Sequence, residues 1–286
     1  MKKFKLNPLK LIVYLSAGIT FSIISFIVLY LLINGLPEVF SEISKYFSGE
    51  PSLFDAKYNS TNASLVPATI NTLILIATSL TLSTFLGIST AIYLVEYAKK
   101  GNKIVEAIRI TSETLSGIPS IIYGLFGMIF FVKYMQFGFS LLSGILTISI
   151  MILPLIIRST EEALKAVPNT FREASFGLGA GKLRTIFVVI LPSATNGILA
   201  GIILAIGRII GETAALIYTA GTTTGTVSNP FTDGGRTLSV HMYMLTGEGT
   251  HFPQAYATSA ILLIIIVLIN GLSTLIAKSL LKKRNA

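Results

Sequence analysis

Six apolar runs, at about residues 11–34, 68–95, 115–132, 139–157, 194–220 and 256–277, decide what this chain can fold into. Each comes close to or exceeds the roughly 20 residues that an α-helix needs to cross a hydrocarbon layer. The expected fold is therefore an all-α membrane protein of six transmembrane helices. Composition agrees: 52% of the 286 residues are hydrophobic and only 12% charged, far from the soluble norm. The first run is longer than a signal-peptide core and is not followed by a small-x-small cleavage site, so it is expected to stay as a span.

The formal charge of +9 raises the question of nucleic acid, and its location answers it. Lys45, Lys57, Lys133 and Arg236 are the only basic residues in alternate loops, and Arg208 alone lies inside a span. All the others precede the first span, follow the sixth, or sit in the second–third and fourth–fifth connections. Under the positive-inside rule this puts both termini and the 159–192 loop in the cytoplasm, in a multi-pass protein of the cell (cytoplasmic or inner) membrane. No nucleic-acid partner is implied. The chain has no cysteine, which excludes disulfides and thiolate metal sites, and its two histidines stand apart from any acidic cluster.

Three parts are expected: an N-terminal span with its external loop at 1–67, the main membrane domain at 68–280, and a short tail at 281–286. A sequon at Asn62-Ala63-Ser64 falls in the first loop. In the second span the hydroxyls of Thr78, Ser79, Thr81, Ser83 and Thr84 suggest either helix packing or a pore face. Residues 96–113 read as a linker. Ser116-Gly117-Ile118-Pro119-Ser120 puts a proline inside what should be helix, and such breaks are tolerated in a membrane only against protein or water.

The polar stretch 159–192 stands between two spans. Ser159-x-x-Glu162 and Thr170-x-x-Glu173 have capping-box spacing, so each predicts the start of a short helix. The second would run from about Phe171 to Leu178, with Phe171, Ala174, Ser175 and Leu178 on one face, and end at Gly179 and Gly181.

Arg208 falls near the middle of the fifth span, where an arginine costs roughly 2.5–3.5 kcal/mol. Glu212, four residues on, would share its helical face and partly neutralise it. Either this is a structural ion pair, or Arg208 offers its planar donor fork to an oxyanion while Glu212 holds it between substrates.

Glu173-Ala174-Ser175, three residues, Gly179, nine residues and Val189-Ile190-Leu191-Pro192 resemble the E-A-A-x3-G-x9-I-x-L-P loop of ABC importer permeases, with Ser175 and Val189 as departures. Gly207-Arg208-x-x-Gly211-Glu212-Thr213-Ala214 resembles the R-x-x-G-E-T-A segment of PstA-type permeases from phosphate-specific importers. Gly117-Ile118-Pro119-Ser120 with Tyr123-Gly124-Leu125 is similar to a further segment of the same permeases. This resemblance implies a type I importer transmembrane domain whose 159–192 loop docks on an ATPase through Glu173, Ala174, Ser175, Gly179, Leu191 and Pro192. It implies a substrate path touching Arg208, Glu212, Ser116 and Ser120. It also implies a second permease subunit, a pair of ATP-binding subunits that hold the nucleotide, and an extracytoplasmic phosphate-binding protein facing the 221–254 loop. No cofactor is expected in this chain: Gly177 to Lys182 imitates part of a phosphate-binding loop but has Phe176 and Leu183 where a glycine and a hydroxyl are needed. Sulfate or molybdate transport, and less readily a secondary transporter, remain as alternatives.

Overall fold

The computed structural model describes residues 8–57, 63–99, 101–225, 227–248 and 251–284. Lys2, Lys3, Lys5, Asn62 of the sequon and the last two residues of the tail lie outside them. The described residues contain helices and no strands. These are α1 (Pro8–Ser48), α2 (Val66–Ile92), α3 (Lys103–Ser116), α4 (Ser120–Gly127), α5 (Leu141–Lys165), α6 (Asn169–Gly177), α7 (Lys182–Thr185), α8 (Leu191–Gly211), α9 (Ala214–Ile217), α10 (Leu238–Glu248) and α11 (Phe252–Arg284). Five helical stretches are long and apolar enough to span a membrane, and α3 with the helix from Ser120 to Tyr134 forms a sixth, bent by 106°.

The centre of the bundle is α5, packed between α2 and α8. On α2 the residues Ser79, Ser83, Gly87 and Ala91 recur every fourth position and are all buried. That row of small side chains lets the two backbones approach closely. Ser83 donates to the carbonyl of Ser149 at 3.1 Å, and a Cβ placed on Gly87 would meet Ile156 Cγ2 at 2.7 Å. The hydroxyl-rich face of α2 thus divides. Ser79 and Ser83 pack on α5, whereas Thr78 and Thr81 point outward and donate to carbonyls of their own helix.

Several boundaries move from those expected, each for a local reason. The first helix runs to Ser48 rather than ending near residue 34, because Val39 and Glu42 give the polar stretch a buried side. Glu42 accepts the Leu53 N–H at 2.9 Å and so folds the following loop back on the helix end. The 96–113 linker contains α3, an amphipathic helix capped by Asn102 and seated on α5 through Val105. Neither capping box forms. Ser159 lies inside α5, which continues to Lys165, and its hydroxyl donates to the Ile156 carbonyl; α6 begins after Pro168 without a side-chain cap. The fifth span starts at Lys182 and stops at Gly211, not at 194 and 220. Pro192 has no N–H to donate, and the ladder before it resets through a π-turn at Ile186–Ile190.

Candidate functional site

Two regions carry the candidate residues: the elbow from α5 to α8, and the place where two broken helices meet around Arg208.

In the elbow, α6 ends where Gly179 adopts φ +80°, a backbone conformation that side chains rarely take, so the chain can double back into α7. The Ser175 and Thr185 hydroxyls bond at 2.8 Å and are both buried, fastening the two short helices together. The remaining face of α6 is left outward. Phe171, Ala174 and Leu178 are exposed, Leu178 at 90%, and with Gly179, Arg184 and Val188 they border a hollow of about 410 Å³. Glu173 is also exposed and bonds to no described residue. The predicted stripe exists, with Ser175 turned inward as its anchor. Leu191 and Pro192 are half-buried at the foot of α8.

What holds the elbow is Arg172. Its guanidinium reaches Glu96 Oε1 at 2.6 and 3.1 Å and donates to the carbonyls of Leu164 and Val167 at 3.1 and 3.0 Å. Glu96 sits at 9% exposure in the π-turn that ends the second span. One side chain therefore satisfies carbonyls around the end of α5 while tying α6 to α2. Beside it, Glu161 is buried and paired with both Arg109 of α3 at 2.8 Å and Lys165 at 2.7 Å.

The Arg208 region is arranged otherwise. Gly197 packs on Ala163 and Gly201 on Ser159, so α8 runs antiparallel to α5. Continuing that register sets Arg208 beside Ile152, roughly 9 Å along α5 from Arg158 and roughly 16 Å from Leu141 at 1.5 Å per residue. Arg208 is therefore level with the middle of α5. Three residues later the helix ends: Glu212 is extended (ψ 123°), so the four-residue spacing no longer puts the two side chains on one face. The expected Arg208–Glu212 pair does not form. Instead Glu212 Oε1 accepts the Ala215 N–H at 3.1 Å, and its carbonyl accepts Ser239 Oγ at 2.6 Å. Arg208 is half-buried and makes no hydrogen bond or ion pair with any described residue. A Cβ on Gly207 or Gly211 would meet nothing within 4 Å, so open space borders it.

The second break meets the first here. Pro119 cannot donate to the Leu115 carbonyl, and Ile118 N–H and the Tyr123 hydroxyl bond it instead, at 3.1 and 2.7 Å. Gly124, next to Tyr123, lies where a Cβ would be 2.8 Å from Ala215 Cα, just past the second break. Ser116 and Ser120 flank the first break. The Ser116 hydroxyl donates to the Glu113 carbonyl, and neither serine bonds to Arg208 or Glu212.

Residues 83–284 match the family described as binding-protein-dependent transport system inner membrane component. The chain belongs to that family. It is 37% identical over 209 residues to the probable ABC transporter permease protein YqgI of Bacillus subtilis (strain 168), covering 66% of this chain and 70% of that protein. It is 34% identical to the phosphate transport system permease protein PstA 2 of Mycobacterium bovis, over 71% of this chain and 67% of that protein. The PstA homolog of Mycoplasma genitalium is 38% identical over 79% of this chain, which spans 33% of that protein's length. Two solved structures share the fold. A bacterial alginate ABC transporter in complex with alginate pentasaccharide-bound periplasmic protein superposes at TM-score 0.61, with 17% identity and 94% of both chains covered. The inward-facing MetNI methionine ABC transporter gives 0.58, with 20% identity over 77% of this chain and 95% of that one. The fold is that of an ABC importer transmembrane domain.

Sequence reasoning singled out Arg208 and the elbow but missed Glu96, Arg172 and the capping role of Glu212. Glu96 and Arg172 are 76 positions apart, and only the polar character of each against its apolar neighbours hinted that it needed a partner.

Proposed function

We propose that this chain is the membrane permease subunit of an ATP-driven importer of inorganic phosphate. The names of its PstA relatives support the substrate, and the site reading rests on Arg208: a half-buried cation level with the middle of α5, bonded to no described carboxylate and flanked by Gly207 and Gly211, which border open space where two helices break. An uncompensated cation there is costly, and a tetrahedral oxyanion with several acceptor oxygens is the ligand its planar donor fork fits. Glu212 keeps the break in shape by holding the Ala215 N–H, so its part in the path is to position rather than to neutralise. Ser116 and Ser120 border the same path at the proline break.

The elbow supplies the work. With the basic loops in the cytoplasm, the exposed Phe171, Ala174 and Leu178 of α6, with Glu173, dock on one of two ATP-binding subunits; Gly179, Leu191 and Pro192 shape the turn behind them. A second permease subunit completes the pore, and a phosphate-binding protein meets the opposite face. Nucleotide chemistry resides in the partner.

Uptake of labelled phosphate into vesicles bearing the assembled complex tests this. Wild-type uptake should be ATP-dependent and resist excess sulfate or molybdate, and Arg208→Ala should abolish it with assembly intact. Competition by sulfate in place of phosphate would reassign the substrate. Wild-type uptake by Arg208→Ala would defeat the anion contact.

A further inference from the structure

The second span is helical over 32 residues from Val66 to Tyr97, an α-helix to Ile92 roughly 40 Å long followed by the π-turn at Tyr93–Tyr97. It is clasped by side-chain bonds at both ends. At the elbow end, Glu96 holds Arg172 of α6 with two hydrogen bonds. At the other end, Asn71 is fully buried; its Nδ2 donates to the carbonyls of Gly225 and Arg236 at 3.1 and 3.3 Å, and its Oδ1 accepts the Val227 N–H at 3.2 Å. One residue on, Thr72 Oγ1 accepts the Leu238 N–H at 2.8 Å. The 221–238 loop on the face opposite the elbow is therefore moulded on the start of α2, and the helix that meets the ATPase is bolted to its finish.

We propose that α2 is a connecting rod that reports occupancy of the outer loop by the binding protein to the elbow, with Asn71 and Glu96 as its two positioning residues. The proposal rests on the functional reading above, which identifies what docks at each end. A helix conducts a displacement because its own ladder is stiff, and coupling between distant sites needs such an element with discrete arrangements at its ends. The α5 helix also reaches both faces, through Leu141 N–H on the Asp233 carbonyl and by direct chain connection to α6. That link is partly covalent and permanent. The α2 link is non-covalent at both ends and can be engaged or released within a transport cycle. Its contact with α5 is the small-residue row Ser79, Ser83, Gly87 and Ala91, closely packed and hydrogen-bonded to Ser149, so a displacement of α2 is shared with α5. Because coupling is reciprocal, the same rod that carries docking inward carries the nucleotide state outward.

The test uses the full importer in lipid nanodiscs, measuring ATP hydrolysis with and without phosphate-loaded binding protein. Glu96→Gln removes the charge and keeps the shape; Asn71→Ala releases the outer loop. In each, stimulation by the loaded binding protein should fall about tenfold while basal hydrolysis stays near wild type. Glu96→Asp, which keeps the charge beside Arg172, should retain much of the stimulation. A bond that only stabilised the fold would lower basal and stimulated rates together, and that outcome overturns the proposal, as does full stimulation in both single variants. Should Asn71→Ala fail to assemble, Glu96→Gln and Glu96→Asp decide alone. If wild-type hydrolysis ignores the loaded binding protein, the functional reading falls and takes the rod with it; if wild type responds and the variants respond equally, only the rod falls.

Discussion

Arg172 and Arg208 carry the same side chain under opposite conditions. Arg172 meets a buried carboxylate and two backbone carbonyls, so every direction in which its fork points is answered. Arg208 makes no hydrogen bond or ion pair with any described residue and stands beside two glycines that open onto space. Answered donors fix a joint; unanswered ones leave room for a ligand. On the proposed function, the contrast separates the part of the chain that would transmit force from the part that would handle the anion.

The largest expected effect lies at the joint. Arg172→Ala leaves Glu96 buried without its partner and should cost about 3–5 kcal/mol, read as a fall in thermal midpoint and in recovery of the complex from detergent. Arg208→Ala should leave stability unchanged or raise it, since no bond is lost and an unpaired charge is removed. Equal losses from the two would erase the distinction between them.

The glycines along α8 sharpen it. Gly201 abuts Ser159, so Gly201→Ala should cost about 1–3 kcal/mol by overpacking, whereas Gly207→Ala should leave the thermal midpoint unchanged and slow uptake by crowding the space beside Arg208. Arg208→Lys keeps charge and removes the planar fork; its uptake should fall well below wild type while remaining above that of Arg208→Ala.

The smallest effect is one of pH, in the outer loop. Burial and the neighbouring Arg236 charge push His241 down to about 4, against the opposing bond to the Ala63 carbonyl. The folded protein keeps this imidazole neutral, while the unfolded chain takes up a proton below about 6.5. Stability therefore falls as pH drops through that window, by less than about 1 kcal/mol at pH 6. His241→Gln should flatten the decline in thermal midpoint between pH 7.5 and 6.

The spans, the proline break and the outward stripe of α6 were legible in the sequence because each is a local pattern: apolar length, a missing donor, a four-residue periodicity. Helix ends were less so. Residues 38–48 and 158–165 look like loops by polarity, yet each has one buried side, which depends on what packs against it. The break at Glu212 was hidden because nothing in Gly211-Glu212-Thr213 forbids a helix; at the break the Ser239 hydroxyl takes the Glu212 carbonyl and the Glu212 carboxylate takes the Ala215 N–H, the two groups that would have continued the turn. The Arg208–Glu212 expectation failed for that reason alone. Glu96 with Arg172 and Asn71 with the 221–238 loop were illegible, since each joins positions far apart in the chain.

The absence of cysteine allows a direct test of whether Arg208 borders the anion path. In a Gly207→Cys chain the introduced thiol is the only one, and an anionic, water-borne sulfonate reagent applied to the cycling importer reports whether water and anions reach it. Modification during ATP turnover, slowed by saturating phosphate, is the predicted result. A thiol that stays unmodified throughout the cycle, while Thr232→Cys in the outer loop reacts readily, would contradict the account.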